Sequence, residues 1–422
     1  MHKHTGRIGA LLLGLMVFLP ALAADYLEDA RQYYADGEYR AAMIQLKNAL
    51  QERPDNREAR LLLARIHLET GDGAAAEKEF RQARRLEAQR DAWVRGLAQA
   101  LLQQRKFEQV LAQIEPADSD APALQADIQV LRGQALMAQG KVEPAEARFR
   151  QALEWDAKHL DAHLGLAQLA LNAGDYEAAG RQVDTALEID PRSYSARFVK
   201  AQVLAARNDA QATLWYDRAL EIRPEDLSAR LGKARFLITQ GEIEAARPEV
   251  EKLRQVLPDR PEIIHLTGLV AFNNGNYEQA REAFNQVLGA RPKFAPAMLL
   301  LGTIHYQQGN FDQARLYLGD YLDYVPGHMP ARQMLGGIHL RQGQAREALE
   351  VLQPAAEAAA DNAGYLALLG MAHMQLDEVE PAMQYLERAR EIAPEALPLQ
   401  AQLAMGRILQ GEREAGLEEL QS

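Results

Sequence analysis

ADYLEDARQYYADGEYRAAMIQLKNALQERPD, residues 24–55, and LLGTIHYQQGNFDQARLYLGDYLDYVPG, residues 300–327, are two copies of one phrase. In each, an apolar helix carries a small residue at its middle (Ala30, Gly302) and stops at a glycine (Gly37, Gly309). A second amphipathic helix follows, with a small residue early in it (Ala42, Ala314) and a proline past its end (Pro54, Pro326). Traced outward, the first small slot reads Ala30, Ala64, Ala98, Gly133, Ala167, Ala201, Ala234, Gly268, Gly302, Gly336, Gly370 and Ala404. Nearly every step is 34 residues, with one of 35 and one of 33 that cancel. Such a slot marks a place where one helix approaches its partner too closely for a large side chain.

Two further marks keep the same phase. A residue suited to a left-handed turn ends each first helix at Gly37, Gly71, Gly140, Gly174, Gly241, Gly275, Gly309, Gly343 and Gly411, with Arg105, Asn208 and Asp377 as substitutes. Proline follows the second helix at Pro54, Pro191, Pro224, Pro258, Pro292, Pro326 and Pro394, where its fixed φ and missing N–H stop a helix. Apolar residues recur at i, i+3, i+4 and i+7, and no segment alternates with period two. The pattern resembles the tetratricopeptide repeat (TPR), in which a hairpin of helices buries its apolar face only against its neighbours. It implies an all-α, right-handed TPR solenoid of about twelve 34-residue helix-turn-helix repeats over residues 24–422.

Residues 1–23 read as a separate object: His2, Lys3, His4 and Arg7 form a basic front, Ile8 to Leu19 is nearly all apolar, and Ala21-Leu22-Ala23 offers a cleavage site. This predicts a secretory signal peptide cut before Ala24 in preference to the alternative, an uncleaved anchor helix, since the apolar run falls well short of the ~20 residues that span a bilayer. No later segment is apolar enough to cross a membrane. Cysteine is absent, which excludes disulfides, zinc–thiolate sites, a cysteine nucleophile and a lipidated N-terminal cysteine. An exported, disulfide-free, unlipidated chain is expected in the periplasm. Loss of Lys3 and Arg7 with the leader leaves 45 basic residues against 59 acidic, a net charge of −14 that disfavours nucleic acid and anionic lipid.

The third repeat departs from the pattern. Its second helix, from Phe107, runs into Glu115-Pro116-Ala117-Asp118-Ser119-Asp120-Ala121-Pro122, so a loop is expected near 115–123, either projecting from the stack or forming a longer turn in a drifted repeat. From about Leu124 to Pro394 the array reads as regular. The last unit begins near Leu397 and stops at Ser422 before its second helix would end. A poor end cap, a longer parent chain and a partner covering the end are each compatible with that.

No residue set carries catalysis. There is no Gly-rich phosphate loop after a strand, no H-E-x-x-H, and no Ser, His and acidic set, so no catalytic residue, cofactor or metal is expected. His67, His305, His339 and His373 share one slot, but stacked helices lie ~8–10 Å apart and zinc ligands must reach within ~2.0–2.1 Å of one ion. These histidines, like Tyr33 in the same slot, are expected to pack with a polar tip. Trp93, Trp155, Trp215, Phe80, Phe149 and Phe284 fall at core spacing.

Function is expected on the inner face of the first helices. One inward slot reads Arg31, Arg65, Gln99, Gln134, Gln168, Gln202 and Arg235, then Leu269, Thr303, Gly337, Met371 and Met405. The first part presents amides and guanidiniums that suit the backbone of an extended peptide. The second, with Phe272, Tyr306, Leu340 and Met374 one turn on, is apolar and Met-rich, suited to adaptable contacts with a protein partner.

The stretches ADYLEDA and GEYRAAMIQLKNALQERPDNREARLLLARIHLETGD, with ALEVLQPAAEAAADNAGYLALLGMAHMQLDEVEPAMQYLERAREIAP further on, also resemble the PrsT-like TPR proteins of PEP-CTERM systems. That resemblance implies an envelope accessory of exosortase sorting, in bacteria that also make exopolysaccharide, with polysaccharide-assembly machinery among its partners. Members are commonly lipoproteins and longer, and this chain has no cysteine to lipidate. Two other readings stay open: an adaptor for outer-membrane assembly or polysaccharide export, and the TPR part of a glycosyltransferase.

Overall fold

A computed structural model describes residues 25–419. The signal-peptide reading of residues 1–23 and the chain's last three residues lie outside them. The described residues form 24 α-helices and one short 3-10 segment, with no strand.

The chain divides into two compact units, up to Asp209 and from Ala210. In the first, the first helices of successive repeats are Tyr26–Ala35, Arg57–Glu69, Arg90–Gln103, Pro122–Ala138, Leu160–Asn172 and Tyr194–Ala206. Their second helices are Tyr39–Glu52, Gly73–Arg85, Phe107–Gln113, Val142–Trp155 and Tyr176–Ile189. The second unit starts with Gln211–Ile222. It continues with first helices Leu227–Thr239, Pro261–Asn273, Ala295–Gln307, Met329–Arg341, Ala363–Gln375 and Leu397–Leu409, each followed by a second helix.

The hairpin turns follow from backbone chemistry. The nine glycines expected to be left-handed have φ between 72° and 88°, and Arg105, Asn208 and Asp377 adopt φ of 57–59° despite their side chains. At Gly71 the turn closes as helix ends commonly do: its N–H donates to Leu68 O at 3.1 Å and Asp72 N–H to His67 O at 2.8 Å. Asp72 then caps the second helix by accepting from Ala75 N–H at 3.0 Å, and Asp175 does the same for Ala178 at 2.9 Å. Glu87 is a further left-handed residue, φ 59°, which the sequence reading did not anticipate. It ends the second helix of repeat two, where the proline used elsewhere is missing.

Packing at the small slot explains why the slot is small. Phe149, fully buried, projects from its second helix between Gly133 of its own repeat and Gly165 of the next. A Cβ on either glycine would come within 2.7 and 2.5 Å of the ring. The same relation ties Phe284 to Gly268, Leu318 to Gly302, Leu352 to Gly336 and Leu386 to Gly370. In repeat two the slot holds Ala64, beneath Phe80, and the glycine stands on the far side of the ring, at Gly96. A second helix that lies between two first helices of one unit is thereby wedged by them.

Two repeats differ from regularity. In repeat three the second helix stops at Gln113, and Pro122 opens the next helix at a position where its lost N–H costs nothing, so the loop ends at Ala121, earlier than expected. Arg90 Nε holds the buried Asp120 carboxylate at 3.0 Å, and Asp120 accepts from Ala117 N–H at 2.9 Å. Arg132 donates to Leu111 O and Ile114 O at 2.8 and 2.7 Å, so the stretch is tied down beside its own repeat. The expected regularity from Leu124 to Pro394 fails in repeat ten. There the second helix, Ala345–Leu352, passes into a 3-10 segment, Gln353–Ala355, because Pro354 has no N–H to continue it. The carbonyls left at that helix end find donors: Tyr365 Oη–H bonds Leu352 O at 2.7 Å and the Arg332 guanidinium bonds Val351 O.

Two substitutions test this account. Phe149→Ala should cost about 3–5 kcal/mol in urea denaturation, the range for emptying a buried aromatic site. Arg105→Gly should gain about 1 kcal/mol by relieving a left-handed backbone that a side chain resists.

Candidate protein-binding face

Because the small slot of each first helix turns toward the second helices, the residue after it turns away from them. Arg31, Arg65, Gln99, Arg235 and Met405 are exposed there, while Gln134, Gln168, Gln202, Leu269, Thr303, Gly337 and Met371 are half-buried. One turn on, Phe272, Tyr306 and Met374 are half-buried. Leu340 differs from the expectation: it is 4% exposed, because it packs on Ala345, Ala348 and Ala372, and it serves as wall rather than as an open contact.

In the first unit the polar residues are partly engaged with one another. Arg31 pairs with Glu28 and Glu58, each at 2.8 Å. Gln168 Nε2 donates to Asn172 Oδ1 at 3.0 Å, and Gln202 Oε1 is buried without a hydrogen-bond partner. The Tyr34 hydroxyl donates to Glu69 at 2.5 Å; that bond, with burial, pushes its pKa up to about 12. A cleft of about 470 Å³ lies between repeats two and three, lined by Arg65, Leu68, Glu69, Gln99, Leu102 and Gln103.

The second unit holds a larger cavity, about 670 Å³, on the first helices of repeats nine to eleven. It brings together Tyr306, Gly337, Leu340 and Met371 from the sequence reading and adds Met334 and Leu368. Its polar lining is Gln333, Arg341 and Gln375. Gln375 Nε2 is bonded to Leu340 O at 3.2 Å, while Arg341 lies over the Phe311 ring at 5.3 Å. Thr303 folds its hydroxyl back onto Leu299 O at 2.8 Å. An apolar hollow with a guanidinium at its edge can take up a hydrophobic side chain and steer a charge. Phe272, Met374, Met405, Leu269 and Thr303 lie outside its lining.

The histidine column sits between helices. His305 and His373 stack on Tyr317 and Tyr385, ring centroids 5.7 Å apart in both pairs. The Nδ1 atoms of His373 and His339 reach the residue at the N-cap position of the following helix, Glu378 at 2.6 Å and Gln344 at 2.8 Å, whereas His305 Nδ1 is buried without a partner. Among the described residues no group of three or more His, Asp or Glu side chains is placed to hold a metal ion.

A second polar device escaped the sequence reading. Arg60 bonds Pro54 O, six residues back, at 2.6 Å and Glu79, nineteen ahead, at 2.7 Å. Arg230 repeats both contacts with Pro224 O and Glu249, each at 2.5 Å, and His163 does so with Ala157 O and Gln182 at 3.1 and 2.7 Å. Lys233 joins at 2.9 Å from Glu249 and 2.6 Å from Asp217. Burial works against ionising Glu249, but Lys233 and Arg230 hold it below the usual carboxylate range. The legible signal was an Arg or His four residues before the small slot.

Paired helices stacked in register, with one helix face of each pair left uncovered, define a helical-repeat protein whose free face is a surface for binding. The chain belongs to the tetratricopeptide repeat family: one family profile matches residues 33–93, 136–203, 203–269 and 308–372, a second 265–327 and a third 363–395. No curated protein matches the sequence. Similar solved structures include the APC/C hetero-tetramer Cut9-Hcn1 (18% identity, 94% of this chain and 85% of that one, TM-score 0.44). Others are the TPR domain of P58(IPK) (16%, 92% and 98%, TM-score 0.39) and yeast Tom70 (14%, 92% and 89%, TM-score 0.41). The assignment rests on the profiles.

His265 gives this unit a pH signature. Burial against Phe284 and Phe294, ring centroids 5.6 and 5.0 Å away, together with the charge of Arg235, lowers its pKa to about 4. Between pH 6.5 and 4 the unfolded chain takes up a proton that the folded chain refuses, so stability falls as pH drops through that window and levels below it. In urea titrations across pH, His265→Leu should lose less stability than the parent over this interval and track it in parallel above pH 6.5.

Proposed function

We propose that this chain is a non-enzymatic periplasmic scaffold that holds protein or peptide partners on the inner faces of its first helices. The observation that carries this is the apolar cavity of about 670 Å³ in the second unit, formed by side chains that one 34-residue register aligns. Exposed apolar surface is retained where a partner covers it, and Met405 and Leu409 add to it on the first helix of repeat twelve, each at 58% exposure. The amide residues of the first unit, Gln134, Gln168 and Gln202, suit an extended backbone. The apolar leader-like segment and the missing cysteines support export without lipidation. The likeness of residues 24–72 to PEP-CTERM-system TPR proteins supports a place beside exosortase sorting and exopolysaccharide assembly. Among the described residues no helix is long and apolar enough to cross a membrane.

Crosslinking the tagged chain in intact cells and capturing it from the envelope fraction tests the proposal. Envelope or exported proteins should be recovered, and Met371→Glu, which puts a charge into the cavity, should reduce their yield at least ~10-fold. Recovery of cytoplasmic proteins alone would defeat the export reading. Unchanged capture by both Met371→Glu and the Gln134, Gln168, Gln202 triple alanine variant would remove the inner face from the account.

A further inference from the structure

The first helices of repeats nine to twelve, Ala295–Gln307, Met329–Arg341, Ala363–Gln375 and Leu397–Leu409, contain no Asp or Glu. The chain as a whole carries 59 acidic residues and a net charge of −12. Apart from histidines, the only charged residues on these helices are Arg332, Arg341 and Arg407. Arg332 is tied internally to Pro326 O at 2.5 Å and to Val351 O. Arg341 is different: it is exposed, lines the cavity and lies over Phe311, and the carboxylate next to that ring, Asp312, bonds Gln342 at 3.2 Å, with no ion pair to Arg341 among the described residues. Six of the chain's eleven methionines, Met298, Met329, Met334, Met371, Met374 and Met405, are on the same four helices.

The backbone of the occupant can be argued from what this face lacks. A buried extended segment needs partners for its N–H and C=O groups, and each one left without costs about 1–3 kcal/mol. Thr303 and Gln375 already bond carbonyls of their own stack, which leaves Gln333 as the other amide in the cavity. A helix satisfies its backbone internally and asks only for side-chain contact, which flexible thioethers supply to stripes of varied shape. A carboxylate beside the stripe matches the unpaired guanidinium, the geometry in which Arg bonds most strongly.

From these observations we infer that the inner face of repeats nine to twelve receives an amphipathic helix of a partner protein, with a Met-, Leu- or Phe-rich stripe in the cavity and an acidic side chain beside that stripe against Arg341. This rests on the inner-face reading above and adds the class of occupant.

Synthetic fluorescent peptides of about five helical turns, blocked at both ends, test it by anisotropy against the whole mature chain. The reference peptide has a Leu/Met/Phe stripe with one Glu beside it. The comparison peptides replace that Glu by Lys, break the helix with a central proline, or carry their only carboxylate at a free C-terminus. The Glu peptide should bind at least ~10-fold more tightly than the Lys and proline peptides, and Arg341→Glu should reverse the Glu/Lys order. Equal binding of all the peptides would overturn the inference and leave the inner-face reading standing. Binding of the free C-terminal carboxylate peptide alone would overturn the inference in favour of an end-on mode. No binding by any peptide, to a chain of undiminished helical circular dichroism, would sink both readings. If Met371→Glu instead halves the mass seen by light scattering, the occupant is a second copy and the partner helix is wrong.

Discussion

Within each unit, a side chain from a second helix must fit between the first helix of its own repeat and that of the next. Phe149 between Gly133 and Gly165 shows the constraint at its tightest, because neither glycine has room for a Cβ. Phe80, Phe284, Leu318, Leu352 and Leu386 occupy the same place in other repeats. A single hairpin offers only half of such a slot. It therefore cannot bury its wedge alone, and stability accrues repeat by repeat along each unit. The same arrangement commits one side of every first helix to packing and leaves the opposite side for something else.

Polar groups hold that arrangement rigid. Arg60, His163 and Arg230 each join the end of the preceding hairpin to a second helix, through a carbonyl six residues back and an acceptor nineteen ahead. His339 and His373 reach the residues at the N-cap positions of the following helices. Where Pro354 cuts a second helix short, Tyr365 and Arg332 take over the stranded carbonyls. Buried polar groups of this kind specify one register because any shifted pairing would leave them without partners. A binding face built on such helices starts out ordered, which lowers the entropic cost of engaging a partner.

Much of the fold was legible because TPR packing is local and repeats. The left-handed turns, Arg105, Asn208 and Asp377 included, could be placed by counting, since each follows its small slot at a fixed interval. The wedge's second contact, such as Phe80 against Gly96, was not legible, because it joins residues of successive repeats and leaves no mark within one. Glu87 was missed because nothing in its chemistry favours positive φ. The inner-face column was legible as a list of positions. It did not show that Leu340 would be covered by its neighbours, that Arg31 would be engaged by Glu28 and Glu58, or that Met334 and Leu368 would join the cavity.

In the first unit the first helices carry paired charges and amides, and in the second those of repeats nine to twelve carry no carboxylate, while the packing within each unit keeps one design. Binding on that face is the central claim, and hydrogen–deuterium exchange with and without a captured partner tests it most directly. The account predicts slowed exchange in the first helices of repeats nine to eleven, Ala295–Gln307, Met329–Arg341 and Ala363–Gln375, and little change in the second helices packed behind them. Protection confined to the second helices and their outer surface would contradict it.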